Sequence, residues 1–299
     1  MPGRPMTPVQ QYIHQITLPD DDGIEPKRRA KRHTRNKLAI LAAYLPAFTK
    51  ACNKAPQKYF IDALAGPGLY QFDDRITMGS TLIALKTEPP FSKVLAMEKN
   101  KKYADALKTR CSRIDQNRAR VTSGDCNVAL INFMANELNP RAPMLVFLDP
   151  EGFEVSWQTI IALSNFKSVG TKPELLIYFN APAFRRFNVT TKHLWRMNVD
   201  AAMPNGSDWR SALKRCEQEN TPIDRTMLDI YEEGLRQLGY LKVTSRPIGP
   251  QHPNASSRVY YYLVHASDFD PGTDKEPPME WVFRRLWGAE SDQVRLPNF

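Results

Sequence analysis

Five short β-rich runs in this 299-residue chain end in a residue able to do chemistry. Tyr59-Phe60-Ile61 ends at Asp62, Val94 to Met97 at Glu98, and Arg120-Val121-Thr122 at Gly124-Asp125. Met144 to Leu148 ends at Asp149, and Leu175 to Phe179 at Asn180. One acid after such a run is as readily a turn or N-cap residue as a ligand. Four acids at one edge of one sheet are stronger evidence. They suit a ligand with several hydroxyls and amines, or a metal, and they do not suit a polyphosphate.

The first of these acids opens a glycine loop, Asp62-Ala-Leu-Ala65-Gly66-Pro67-Gly68. Two glycines spaced by one residue let the backbone approach a ligand closely. The dinucleotide fingerprint wants a third glycine three residues on, at the start of a helix. Gln71 stands there instead, and the next helix is expected after Gly79, with Ser80 or Thr81 as its N-cap. Segments 65–69 and 79–81 would then both face the ligand, and the helix N-terminus would favour a carboxylate. Glu98 can accept from both hydroxyls of a ribose. Gly124-Asp125 can accept from an adenine amine. Ribose, adenine and a carboxylate-bearing tail describe S-adenosylmethionine better than NAD, whose pyrophosphate would face carboxylates. Asp62 is expected to fix the amine of that donor.

Such a row of acids needs a sheet to align it. Helix candidates 80–88, 100–114, 127–137 and 156–165 separate the runs. This alternation predicts a parallel, doubly wound α/β sheet with right-handed crossovers. Ligands bind such a sheet at the carboxyl ends of its strands, near the switch point. Residues 1–26 read as an irregular arm and 27–299 as one domain, with a polar, mostly helical insertion at about 181–230. A helix over 225–238 precedes two late strands, 241–244 and 258–265. The last strand looks like an antiparallel hairpin partner rather than another βα unit.

The segments YFIDALAGPGLY, GSTLIAL, LAMEKN, SGDCN, FLDPEGFEVSW and YYYLVHAS resemble the three-Cys-motif partner protein family. That family is similar to class I S-adenosylmethionine-dependent methyltransferases, with a Rossmann-like sheet. Its name refers to cysteines in a radical-type partner protein. The chain is more distantly similar to bacterial 23S rRNA adenine-N6 methyltransferases with a helical insertion. That likeness implies a cofactor site of Lys37, Ser80, Glu98, Gly124, Asp125 and Asp149, with Lys37 on the methionine carboxylate. Leu64 stands where those enzymes have a histidine. Amino-methylating enzymes of this class end the fourth strand in Asp/Asn-Pro-Pro-Tyr/Phe. The acid and the proline carbonyl hold the target amine, and the aromatic stacks on a flipped base. Here Asp149 and Pro150 are kept as catalytic candidates, but Glu151 and Gly152 follow. Glu151 would repel a phosphate or serve as a base, and Phe153 or Trp157 would supply a stacking face. Like charge and desolvation are expected to raise the pKa of a buried strand-end acid beside Asp62.

Lys plus Arg number 41 against 32 Asp plus Glu, a formal charge of +9 that favours a polyanionic partner. Residues 26–37, PKRRAKRHTRNK, are expected to form the basic first half of a helix whose second half, 38–48, is buried. Arg28, Arg29, Lys31 and Arg32 on that arm are candidate phosphate contacts. Arg185, Arg186 and Lys192, interleaved with aromatics over 185–196, would suit unstacked bases. The reading is therefore a methyltransferase acting on RNA or DNA. The alternative is a non-catalytic nucleic-acid-binding subunit working with a three-Cys-motif partner protein. No metal is expected: Cys52, Cys111, Cys126 and Cys216 lack CxxC spacing and a histidine cluster, and read as thiols in a reducing cytoplasm. The longest apolar run, 38–48, is too short to cross a bilayer, and no apolar signal segment opens the chain.

Overall fold

The computed structural model of this chain describes residues 6–30, 32–167, 172–188, 193–250, 259–268, 278–287 and 294–296. It begins with a helix, α1 (Pro8–Ile16), followed by β1 (Thr17–Leu18), β2 (Arg28–Arg29) and the long helix α2 (Arg32–Ala51). The α/β alternation then runs through β3 (Tyr59–Asp62), β4 (Leu69–Gln71), β5 (Ile76–Met78), α3 (Ser80–Leu85), β6 (Lys93–Glu98) and α4 (Lys101–Asp115). It continues with β7 (Ala119–Ser123), α5 (Cys126–Asn136), β8 (Met144–Leu148), α6 (Trp157–Asn165) and β9 (Glu174–Phe179). A 3-10 turn (Ala181–Asn188) leads into α7 (His193–Ala202), α8 (Trp209–Glu219) and α9 (Ile223–Gln237). The described chain closes with β10 (Lys242–Pro250), β11 (Tyr261–Ser267), α10 (Pro278–Trp287) and β12 (Val294–Leu296).

The main sheet has the order β12-β10-β11-β9-β8-β3-β6-β7. Strands β7, β6, β3, β8 and β9 are parallel, and β11 runs antiparallel to β9 and β10. This is the mostly parallel α/β sheet with an antiparallel last strand that the sequence predicts. Chain order reverses beside β3, where β6 lies on one side and β8 on the other. That crevice is the switch point.

Both faces of the sheet are covered, which is why β3 and β8 are buried along their whole length. Phe60, Val94, Leu145, Phe147 and Leu176 pack toward α1, α2, α3 and α10. Their neighbours Tyr59, Ile61, Leu95, Val146 and Ile177 pack toward α5, α6 and α9. The period of two thus feeds two separate cores. Phe184, Trp209 and Tyr231 of the helical segment after β9 belong to the second core.

Three local expectations fail. Residues 1–26 are not irregular throughout, because Thr7 caps α1 in a reciprocal capping box with Gln10. Pro8 starts that helix instead of breaking it, and Val9, Ile13 and Ile16 are buried. The basic stretch does not enter α2 as one helix. Arg28 and Arg29 instead form a two-residue strand parallel to Tyr70 and Gln71. The expected long loop before Gly79 contains the hairpin β4–β5, which turns at Asp73-Asp74-Arg75.

Candidate functional site

Asp62 ends β3 with no exposed surface. Its Oδ2 accepts from Ser80 Oγ at 2.5 Å and from Thr81 Oγ1 at 2.7 Å. These two hydroxyls explain the start of α3. Gly79, not Ser80 or Thr81, is the N-cap residue, because both hydroxyls are drawn to Asp62. Helix α3 has only six residues, so its dipole adds little. Oδ1 of Asp62 is buried with no hydrogen bond of ordinary geometry. Burial pushes this carboxyl up to about 6, against the pull of Ser80 and Thr81 and with help from the Asp149 charge. The raised acid is Asp62 itself.

The glycine loop is tied to the next strand. Ala65 N donates to Met97 O at 2.9 Å, and Gly66 N to Glu98 Oε2 at 2.9 Å. Gly66 and Gly68 hold φ of +64° and +91°, the left-handed region that favours glycine. A Cβ on Gly68 would stand 2.8 Å from Leu107 Cδ1, so another residue would need that side chain to shift and would hold a strained backbone. Glu98 Oε1 accepts from Asn100 N at 2.7 Å. Each oxygen of Glu98 therefore takes one backbone amide, which fixes the plane of the carboxylate and leaves acceptor capacity on both. Gly124 N bonds Glu98 O at 3.0 Å, which sets the third strand end beside the second. Asp125 caps α5 through Asn127 N at 2.9 Å, and its side chain is half-exposed. It serves as an N-cap and remains open to solvent.

Asp149 ends β8 on the other side of Asp62. Lys37 of α2 reaches its Oδ1. The Lys37 ammonium lies 4.5 Å from the ring centroids of both Tyr178 and Tyr261, a cation–π cage. The structure thus places Lys37 on Asp149, where the resemblance implied a cofactor carboxylate. Beyond Asp149, Pro150, Gly152, Phe153, Phe179, Asn180 and Tyr231 line an apolar pocket at the ends of β8 and β9. Asn180 Nδ2 donates to Glu151 O at 3.0 Å and holds that loop to β9. Phe153 meets the Phe184 ring edge-on at 5.0 Å and faces the pocket. Trp157 is buried against Tyr231, which removes it as a stacking surface.

Of the residues expected to form one site, Asp62, Ala65, Gly66, Gly68, Ser80, Glu98, Gly124, Asp125, Asp149 and Pro150 share one edge of the sheet. Of the four candidate phosphate contacts on the basic arm, Arg28 is engaged within the chain, as are two of its neighbouring cations. Arg28 pairs with Glu151, Arg35 with Asp74, and Lys27 with Asp21 and Glu25, so these cations are neutralised within the chain. Arg29 is exposed. Lys31 and Lys192 lie outside the described residues, as do the side chains of Arg32, Arg185 and Arg186. Sequence reasoning missed Asn127. Its Oδ1 accepts from Ser156 N and Thr159 Oγ1, while its Nδ2 donates to Asp125 and to Glu154 O. It joins the start of α5 to the start of α6; only its place two residues after Asp125 signals it.

Among the described residues, no group of three or more His, Cys, Asp or Glu side chains could hold a metal ion, and no helix could cross a membrane. No protein-family model and no curated protein matches the chain. Among solved structures, an O-methyltransferase from Bacillus cereus in complex with SAH is 15% identical, with 87% of this chain and 97% of that chain covered and a TM-score of 0.44. The O-methyltransferase TomG from Streptomyces achromogenes, in complex with SAM, is 11% identical, with coverage of 90% and 93% and a TM-score of 0.45. Trm1 from Pyrococcus horikoshii, with S-adenosyl-L-methionine, is 13% identical, with coverage of 85% and 59% and a TM-score of 0.42. The fold class rests on the strand order itself, with β11 reversed beside five parallel strands.

Proposed function

We propose that this protein is an S-adenosylmethionine-dependent methyltransferase whose acceptor is an amine on a planar ring, a nucleobase of RNA or DNA. The observation that carries the reading is the pairing of Asp62 and Glu98 at the switch point. One is a buried carboxyl whose Oδ1 makes no hydrogen bond of ordinary geometry, with only the Leu64 amide near the group besides Ser80 and Thr81, and the other is a carboxylate held in plane by two amides. A cation is the natural partner of the first and a pair of hydroxyls that of the second. A sulfonium nucleoside bearing an amino acid offers both. Pyrophosphate offers neither.

When bound, that donor supplies an electrophilic methyl group. The residues of this chain position it and its acceptor. Asp62 holds the donor amine, Gly66 and Gly68 let the tail lie against the backbone, Glu98 accepts from the ribose, and Asp125 from the adenine amine. Lys37 takes one oxygen of Asp149 and so fixes the side chain. Oδ2 of Asp149 and the Pro150 carbonyl remain as acceptors for the target amine, next to a small pocket of about 20 Å³ that would have to widen to take a base. Catalysis of this kind is mainly positioning. The charge of +9 favours a polyanionic substrate. With Lys27, Arg28 and Arg35 neutralised, phosphate contact falls to Arg29 and to the segment around Arg185, Arg186 and Lys192.

A second reading is a donor-binding accessory subunit of a three-Cys-motif partner protein. It draws on the Lys37–Asp149 pair, which occupies an acid that a methyltransferase would keep for its acceptor. Mass spectrometry of nucleosides from cells with and without this chain decides between them. A methylated nucleoside lost with the chain, and restored by wild type but not by Asp149→Ala, supports the enzyme. Unchanged nucleosides with intact donor binding support the accessory subunit.

A further inference from the structure

The segment between α1 and α2 is fastened at two places beside the switch point, and the two fastenings differ in strength. Arg110 on α4 is 3% exposed. Its guanidinium gathers Asp22 Oδ2 at 2.7 Å, Pro26 O at 3.0 Å, Ile24 O, and Pro67 O of the glycine loop at 2.6 Å. A buried charge-assisted cluster of this kind is costly to break. Further along, Arg28 and Arg29 pair with β4, and Ala30 N bonds Gln71 O at 3.1 Å. From there Arg28 reaches Glu151, on the loop after β8. One stretch of chain thus joins the glycine loop after β3 to the acceptor loop after β8. Its last fastening is weak. The side chains of Arg28 and Glu151 are 30% and 72% exposed, and exposed pairs contribute little and are screened by salt.

We infer that residues 27–30 form a strap over the donor cleft, hinged on Arg110 and latched by Arg28 on Glu151, that opens to admit and release the donor. The two-residue ladder with β4 is short enough to open without disturbing the main sheet. Helix α2, buried from Leu38 to Leu45, holds the far end. The latch residue Glu151 and the acceptor residue Asp149 lie two positions apart on one loop. Opening the strap therefore frees the acceptor loop as well as the donor cleft. The strap itself follows from the contacts above; its role in donor exchange rests on the reading of the cleft as a donor site.

The test uses the full chain and Glu151→Gln, which alters an exposed side chain and leaves the Glu151 carbonyl bond to Asn180 in place. Trypsin cleavage after Lys27, Arg28 or Arg29 needs the strap to open. The expected result is about two- to five-fold faster cleavage there in Glu151→Gln, the size of an exposed ion pair. High salt should reproduce this rate in wild type and add nothing in the variant. Equal cleavage rates for the two proteins would overturn the strap. In a second arm, stopped-flow binding of S-adenosylhomocysteine should show association and dissociation both faster in Glu151→Gln, with the ratio little changed. Unchanged rates alongside faster cleavage would overturn the role in exchange. Absence of S-adenosylhomocysteine binding altogether would count against the donor site and leave the cleavage result to judge the strap.

Discussion

The two halves of the strand-end ledge use carboxylates in opposite ways. On the donor half, the partners of Asp62 and Glu98 are hydroxyls and backbone amides, while Asp125 accepts from Asn127 and has Lys99 3.7 Å away on its exposed side. On the acceptor half, Asp149 is held by Lys37 inside a tyrosine cage, and Glu151 is held by Arg28. Dipoles orient an acid without cancelling its charge, so it stays ready for a cation or for hydroxyl donors. An ammonium cancels the charge and fixes the side chain, so the acid becomes a rigid acceptor for hydrogen bonds. The contrast teaches that the donor half is built to receive positive charge and the acceptor half to position a neutral group.

The sharpest way to break this contrast is Asp149→Ala. It should lower methyl transfer by about 100-fold or more, as misplacement of a reacting group does, and change donor affinity by less than about three-fold. Equal losses of binding and transfer would make Asp149 a structural residue.

Asp62→Asn acts through the charge itself. The Asp62 carboxyl is raised from 3.8 to about 6 in the fold. Between those values the folded chain keeps a proton that the unfolded chain has lost, so this group's contribution to stability falls as pH rises through the window. The cost is complete above about pH 6 and is of order 2–3 kcal/mol. Asp62→Asn should therefore unfold at higher denaturant than wild type at pH 7.5, and the gap should close below about pH 4. Its donor affinity should fall at the same time, since the acid costs stability where it serves binding. A variant less stable than wild type at pH 7.5 would contradict the account.

Gly68→Ala should destabilise by about 2 kcal/mol, from the left-handed backbone and the contact with Leu107. Thermal unfolding checks this, and a neutral result would mean that the loop relaxes freely. Glu98→Gln should weaken donor binding by about ten-fold, as expected for one hydrogen bond to a charged group, and should also cost about 1 kcal/mol of stability, because its NH2 would face Gly66 N or Asn100 N. The smallest effect belongs to Arg29→Ala. It should lower the slope of log affinity for single-stranded RNA against log salt by about one. An unchanged slope would take Arg29 off the phosphate path.

The fold was legible where apolar runs are continuous. Phe60-Ile61, Val94 to Met97 and Met144 to Leu148 can only be buried on both faces, which makes them central parallel strands with their acids at one edge. Asp62, Glu98 and Gly124-Asp125 could be placed together for that reason. The arm was not legible in the same way. Its prolines and Asp20-Asp21-Asp22 read as loop, although the Thr7 to Gln10 spacing carries a helix start. The partners of the arm's charges were hidden altogether. Lys37 and Asp149 are 112 residues apart, and Arg28 and Glu151 further still, so no local pattern links them. Composition records the charges of the basic run and not the acids that meet Lys27, Arg28 and Arg35.

The central claim is that the acids after β3 and β6 hold a sulfonium nucleoside. Calorimetry of S-adenosylmethionine binding to the wild-type chain at pH 5 and pH 7.5 tests it most directly. One site is predicted, about ten-fold tighter at pH 7.5 than at pH 5, because the donor's ammonium prefers Asp62 ionised and its carboxyl titrates at about 6. Asp62→Asn should bind more weakly and lose the pH dependence. Wild-type binding that tightens toward pH 5, or survives unchanged in Asp62→Asn, would contradict the claim.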